Sequence, residues 1–331
     1  MFRAGLRPLT RVPLSLFSHT RTRMKTHNID HVKTCAIGSG LEVRVVPMFS
    51  DNYGYIVIDK ATRAAAVIDP ADHTAVLAAL AQPSMVDVDL QQIWVTHKHD
   101  DHSGGNIAVA EAYAQKGAAL SVYGPALEVM LPGKPAQPAG WSVQKEAITT
   151  ACDEGTTFSL GQSSVRVMHV PCHTRGHIAY YIEAPGDDDS SSSSSGDRVL
   201  ACGDTLFHGG CGRFFEGSAA EMVSNMQRLA ALPDDTVCLP AHEYTLGNFS
   251  FNSTVDTGSD MAAKLENIRR LREEGEFTVP TTIKEEKLYN LFMKTGEEQV
   301  QRQTAAASGE EGCVGDAERT MAVLRSMKDK F

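Results

Sequence analysis

No apolar stretch in this chain of 331 residues approaches the roughly 18 that a membrane-spanning helix needs, so no membrane partner is expected. Positive charge is scarce. Against 41 Asp and Glu stand 31 Lys and Arg, and a formal net charge of −10 argues against nucleic acid as a partner. Nor does cysteine supply a disulfide framework. Cys35, Cys152, Cys172, Cys202, Cys211, Cys238 and Cys313 are an odd number without paired spacing, as expected of reduced thiols. Acid is missing altogether from residues 1–29, which carry Arg3, Arg7, Arg11, Arg21, Arg23 and Lys25 among hydroxyl and Leu/Phe side chains. That is the composition of an organellar transit peptide. Taking its six charges from −10 leaves −16 on the remainder. The mitochondrial matrix is the first expectation; a plastid, or a cytosolic form starting at Met24, is the alternative.

Metal-ligand chemistry is abundant. His97, His99, Asp101 and His102 fall within six residues of Thr96-His97-Lys98-His99-Asp100-Asp101-His102. Three imidazoles and a carboxylate so close together cannot all be structural, because each would need its own buried partner. Residues 91–96 before them read as a buried strand and 106–114 after them as a helix, which places the cluster on a strand-to-helix loop. One tetrahedral ion would not readily accept all four donors, so two metal positions fit better than one. Three further candidates each stand just past a strand-like run: His173 after 165–170, Asp204 after 198–202 and His242 after 236–241. Ligand sites in α/β folds collect at strand ends.

The length suits two domains, and 42% hydrophobic with 22% charged residues is ordinary globular composition. Strand-like runs at 41–46, 55–59, 64–68, 119–123 and 178–183 alternate with helical ones, the first at 74–81. The stretch 186–196, with three Asp and six consecutive Ser, cannot form a core and reads as a disordered loop insertion in a hairpin. From about 258 the pattern turns helical, over 261–274, 283–293 and 316–328, with Pro280 and the stretch 305–315 as separators. The boundaries expected are a leader over 1–29, a catalytic domain over 30–257 and a helical domain over 258–331.

The His-x-His-x-Asp-His loop with distal His173, Asp204 and His242 resembles the metallo-β-lactamase superfamily. Gly203-Asp204-Thr205-Leu206-Phe207, the run Gly210 to Gly217 and His242-Glu243-Tyr244-Thr245 are similar to the glyoxalase II (hydroxyacylglutathione hydrolase) family, over residues 43–331. The resemblance implies an α/β fold, an αββα metallo-β-lactamase sandwich with a smaller C-terminal all-helical domain that binds glutathione. It implies two divalent cations, zinc first with iron or manganese as alternatives. His97, His99 and His173 would hold one, Asp101, His102 and His242 the other, and Asp204 both. A hydroxide shared between them would attack the thioester of S-D-lactoylglutathione, the second step of methylglyoxal detoxification, with Asp101 and Asp204 as the catalytic carboxylates. A thiolate leaves readily, its pKa being roughly 8.5, so no general acid has to be found.

Substrate contacts carried over from the family fall on Arg213, Phe214, Phe215, His242, Tyr244, Arg325 and Lys328. Arg325 and Lys328, three apart and so on one helix face, match a basic pair that grips the glycine carboxylate. Arg213 stands where the family usually has lysine. Phe215 stands where it commonly has tyrosine, and the missing hydroxyl is worth on the order of 1 kcal/mol. His177 is expected to orient the loop around His173; His169, His208 and Asp100 are not expected to be ligands. A monomer is expected. The competing readings are a mononuclear-iron persulfide dioxygenase, a hydrolase of another thiol-carrier thioester, and a non-catalytic binding module. The full ligand set and the C-terminal basic pair weigh against the first, and a metal constellation with no member degraded weighs against the last.

Overall fold

A computed structural model describes residues 32–129, 148–186 and 197–331. The basic segment 1–29 and residues 187–196 of the Asp/Ser-rich stretch lie outside them. Two sheets face each other. The first comprises β1 (Lys33–Ile37), β2 (Leu41–Met48), β3 (Asn52–Asp59), β4 (Ala64–Ile68), β5 (Asp89–Trp94), β6 (Ser121–Pro125) and β7 (Thr150–Cys152), paired in chain order, antiparallel as far as β4 and parallel beyond it. The second comprises β8 (Thr157–Leu160), β9 (Ser163–His169), β10 (Ile178–Glu183), β11 (Arg198–Gly203), β14 (Val237–Pro240) and β15 (Thr281–Thr282). A two-stranded ribbon, β12 (Leu206–Phe207) with β13 (Gly210–Cys211), stands apart from both. The antiparallel pairing of β10 with β11 makes the Asp/Ser-rich stretch the connection of a hairpin, as expected.

Side-chain alternation sorts each strand between two cores. On the inner faces Val43, Val45, Tyr55 and Trp94 of the first sheet meet Val165, Val167, Tyr180 and Leu239 of the second. The outer face of the first sheet packs Ile56, Ile58, Val67 and Ile93 under α1 (His73–Leu80) and α3 (Asn106–Ala114). The outer face of the second packs Met168, Leu200, Cys202 and Cys238 under α5 (Ala219–Ala230), α6 (Thr245–Val255), α8 (Ile283–Tyr289), α9 (Glu298–Ser308) and α10 (Ala317–Lys330). With helices on both outer faces this is an αββα sandwich. The eight residues of β3 are all buried, because that strand is covered on both sides. Two one-turn helices, α2 (Asp100–Ser103) and α4 (Ala126–Val129), and the long α7 (Ser259–Glu274) complete the fold. Among the described residues no helix is long and apolar enough to cross a membrane.

The structure corrects the pattern in the C-terminal region. Residues 305–308, expected as a separator, are the last turn of α9, which ends at a left-handed Gly309 (φ 77°). Of this helix only Val300, Gln301, Thr304 and Ala305 are buried, too weak an apolar stripe to announce it. α8 stops at Tyr289 rather than reaching 293, because Asn290 turns its side chain back onto the ribbon, donating to the Phe207 and Gly210 carbonyls at 3.3 and 2.9 Å. The region is also not purely helical, since β15 pairs with β14.

The two sheets are stitched along one edge. Ile178 N–H donates to Thr96 O at 2.9 Å and Tyr53 N–H to Ala241 O at 2.7 Å. Tyr180 and Tyr55 hydroxyls donate to Val95 O (2.8 Å) and Pro240 O (2.5 Å). The ends of β4, β5, β9, β11 and β14 therefore meet in one place.

Candidate metal centre

Asp69, one residue past β4, organises the loop after β5. Its carboxylate accepts from Thr96 N–H (2.8 Å), Thr96 Oγ1 (2.7 Å) and His102 Nδ1 (2.9 Å). Its backbone is left-handed (φ 48°), a conformation that Asp tolerates and that costs about 1 kcal/mol or more, the kind of strain found at functional sites. α2 turns the chain so that Asp101 and His102 follow His97 and His99 round one centre. Gly105 lets this turn lie against β4's exit, where a Cβ would stand 2.0 Å from Pro70 O.

The seven predicted donors converge. His99 Nδ1 lies 2.9 Å from His97 Nε2 and 3.1 Å from His173 Nε2. Asp204 directs Oδ2 toward His173 Nε2 at 3.3 Å and Oδ1 toward His102 Nε2 and His242 Nε2 at 3.3 and 3.4 Å. Asp101 Oδ2 stands 3.6 Å from His242 Nε2 and 3.8 Å from His102 Nε2. The donor atoms of His97, His99 and His173 lie within 4.8 Å of one another, as do those of Asp101, His102 and His242. Asp204 sits between the two groups.

This donor set fits two divalent cations. His102 Nε2 and Asp204 Oδ1 are buried, face each other, and make no hydrogen bond of good geometry, as two groups directed at a shared cation would be. Four rings have their outward nitrogens held: His97 by Thr96 Oγ1 (3.0 Å), His102 by Asp69, His173 by Arg213 O (3.1 Å) and His242 by Asp51 Oδ1 (2.9 Å). Such outer partners fix ring orientation and tautomer. Burial and the neighbouring imidazoles push His97 well below the usual histidine range; burial, then His173, push His99 down to about 4. Both rings are therefore in the neutral, ligating form at neutral pH. Burial also disfavours charge on His102, but the Asp204 and Asp69 carboxylates outweigh it and hold its pKa well up. Burial likewise works against the Asp204 carboxylate, and His242, His102 and His173 more than offset it.

The remaining histidines separate cleanly. His177 closes the His173 loop, as expected: its N–H donates to Thr174 O (3.4 Å) and its carbonyl accepts from Val170 N–H (2.9 Å). Its side chain also accepts the Asp204 N–H at Nε2 (3.1 Å) and stacks on His97 (4.6 Å), so it positions the end of β11 as well. His208 is paired with Glu286 at 2.6 Å and His169 with Arg175 O at 2.9 Å, and neither is a donor of the cluster. Asp100 lies in the first turn of α2.

Of the predicted substrate residues, Arg213, Phe214, Phe215 and Arg325 share one groove, and Tyr244, His242 and Lys328 are not part of its lining. Tyr244 stacks flat on His242 (4.6 Å, 6°), and Phe215, half-exposed, lies 5.0 Å from the His173 ring. Phe214 packs against the outer core and lines a groove of about 590 Å³ together with Arg213, Phe215 and Arg325. Arg325 is buried, donating through Nη1 to Cys211 O at 2.9 Å, while Lys328 Nζ donates to Gly247 O at 2.9 Å. Burial, then Arg325 and Arg213, push the Lys328 ammonium down to about 8. The outer carboxylates Asp51 and Asp69 and the amide of Asn52, which donates to Asp101 O at 3.0 Å, are missing from the motif reading. Asp69 at least ends a strand, which is the signal that marks His173, Asp204 and His242.

Donors supplied by strand ends from both halves of a helix-covered sheet pair define a metallo-β-lactamase superfamily protein, and the model of that superfamily matches residues 52–242. The model described as hydroxyacylglutathione hydrolase C-terminus matches residues 243–331. A Synechococcus sp. protein named hydroxyacylglutathione hydrolase is 38% identical over 293 residues, 88% of this chain and 100% of its own length. Proteins of the same name from Gloeobacter violaceus (37% over 283 residues; 85% of this chain, 96% of theirs) and Aeromonas hydrophila (36% over 290; 87% and 99%) are similar along the same extent. The chain belongs to the hydroxyacylglutathione hydrolase family.

Proposed function

We propose that the chain hydrolyses S-D-lactoylglutathione, and related S-2-hydroxyacylglutathiones, to the 2-hydroxy acid and glutathione. The observation that carries this reading is Asp204 standing 3.3–3.4 Å from donors of both His/Asp groups, beside a set of cations suited to an anionic tripeptide. His97, His99 and His173 would hold one divalent cation, Asp101, His102 and His242 a second, and Asp204 would share both; zinc is the first choice, and iron and manganese suit the same donors. When bound, two such ions supply a water nucleophile at neutral pH and polarise the thioester carbonyl.

The protein's own groups do the rest. Arg213, Arg325 and Lys328 neutralise the tripeptide's carboxylates, and Tyr244 and Phe215 present aromatic walls that keep bulk water from the acyl group. The leaving thiolate, with a pKa of roughly 8.5, departs without a general acid. The nearby thiols are unsuited to covalent catalysis: burial pushes Cys172 up to about 12 and Cys211 up to about 11, so neither is a thiolate near neutral pH. Loss of thioester absorbance on adding metal-replete protein to S-D-lactoylglutathione, abolished by a chelator, is the expected result; a metal-replete protein that leaves the thioester intact refutes the reading.

We also propose the mitochondrial matrix as the protein's location, with residues 1–29 as leader; six cations and no acid in that segment support this. Import of the full chain but not of a version lacking 1–29 into isolated mitochondria tests it; equal behaviour of the two contradicts it.

A further inference from the structure

Asp329 lies near the end of α10, between two of the cations assigned to the substrate. Its Oδ1 atom meets Arg325 Nε at 3.2 Å, Arg325 Nη2 at 3.0 Å and Arg213 Nε at 3.4 Å. The two guanidiniums come from different parts of the fold, Arg325 from α10 and Arg213 from the loop after β13. Both line the groove beside Phe215. An Arg–Asp pair four apart on a helix surface is ordinarily worth little. This one differs in two respects: the Arg325 side chain is only 9% exposed, and the same oxygen takes a second guanidinium from outside the helix.

Resting on the glutathione-thioester reading above, we propose that Asp329 is a positioning residue for the substrate's glycine carboxylate: it gathers Arg213 and Arg325 at one end of the groove in a shared orientation. The hydrogen-bond inventory supports this. Arg325 Nε–H donates to Asp329 Oδ1, Nη2 stands 3.0 Å from the same oxygen as an ion pair, and Nη1 donates to Cys211 O. A guanidinium carries five N–H bonds, so one anchored through Nε and Nη1 retains donors on its terminal nitrogens for a carboxylate. Asp329 is also the partner that the largely exposed Arg213 side chain meets among the described residues. Without the carboxylate, two like charges would splay apart, and their ordering would have to be met on binding. Lys328 is affected too. Arg325 and Arg213 disfavour its charge, and Asp329 favours it.

The test is calorimetric titration of the metal-loaded wild type, Asp329→Asn and Asp329→Glu with glutathione and with γ-glutamylcysteine, which lacks the glycine. Asn keeps the shape and removes the charge. Asp329→Asn is expected to weaken glutathione binding roughly 5- to 10-fold, as for loss of one charge-assisted contact, and to leave γ-glutamylcysteine within about twofold. Asp329→Glu should recover most of the loss. In turnover the KM for S-D-lactoylglutathione should rise by the same factor as the glutathione Kd, while kcat stays within about twofold of the wild type. Unchanged or tighter glutathione binding by Asp329→Asn overturns the inference, as does an equal loss for both peptides, which would mean a general structural role. A wild type that cleaves the thioester beside an unaffected Asp329→Asn sinks only this inference; a wild type that neither binds glutathione nor cleaves it sinks the functional reading and this inference together.

Discussion

At the scale of single residues, the outer partners of the donor cluster are unequal. The Asp101/His102/His242 group is backed by two carboxylates, Asp51 and Asp69, whereas His97 and His173 are backed by a hydroxyl and a backbone carbonyl. Removing the charge behind His242 with Asp51→Asn should therefore lower affinity for one metal equivalent by roughly 10- to 100-fold and leave the other within a factor of a few. Competition with a coloured chelator reads this directly; equal loss of both equivalents, or of neither, would contradict it. Phe215 allows a test in the opposite direction. Restoring a hydroxyl with Phe215→Tyr should lower the KM by a few-fold, about 1 kcal/mol of binding, without changing metal content. An unchanged KM would show that the half-exposed ring has no hydrogen-bonding partner on the substrate. Lys328 predicts a pH dependence. A lysine is charged below its pKa and neutral above it, and this one stands at about 8, so the KM for an anionic substrate should be flat below pH 8 and rise above it, with kcat unaffected. Lys328→Arg keeps its charge and should flatten the rise; an identical profile in both proteins would remove Lys328 from the site.

At the scale of elements, the ribbon of β12 and β13 joins Asp204 to the Arg213–Phe215 loop and is held almost wholly by side chains from the C-terminal helices. Glu286 of α8 accepts from His208 (2.6 Å), Gly209 N–H (3.0 Å), Thr281 Oγ1 (2.8 Å) and Asn290 (2.9 Å); Asn252 of α6 donates to Gly209 O (2.8 Å). Glu286 is fully buried, so Glu286→Ala strands several polar groups at once and should cost about 3–5 kcal/mol. At roughly 2–4 °C per kcal/mol the melting temperature should fall by about 6–20 °C. A fall under about 3 °C would mean that the network is not what holds the ribbon. This element also shows what a sequence can and cannot reveal. Strand 178–183 is legible because its apolar run is continuous and local, helix 106–114 because it is rich in alanine, and the distal donors because each follows a strand-like run. The ribbon, α9 and the roles of Asp51, Asp69 and Glu286 are not. Their partners lie 191, 33 and 78 residues away, and nothing in a two-residue strand or a polar helix records which distant group it will meet.

At the scale of the whole molecule, the candidate centre lies on the seam between the sheets. His97, His99, Asp101 and His102 come from the first sheet's side, and His173, Asp204 and His242 from the second's. Cations bound there would link the halves of the sandwich, and because they bind the folded chain they add to its stability, by about 2.7 kcal/mol when free metal exceeds Kd a hundredfold. The same placement sets a cationic approach on a protein whose net charge is −10, so attraction of the tripeptide depends on a few local groups rather than on the overall field. The most direct test of a two-metal thioester hydrolase is to add zinc in measured steps to metal-stripped protein and follow bound metal and S-D-lactoylglutathione hydrolysis in the same samples. The account predicts binding that stops at two equivalents, activity that reaches its full value only with the second, and neither in Asp204→Ala. Two bound equivalents without hydrolysis, or full activity retained by Asp204→Ala, would contradict it.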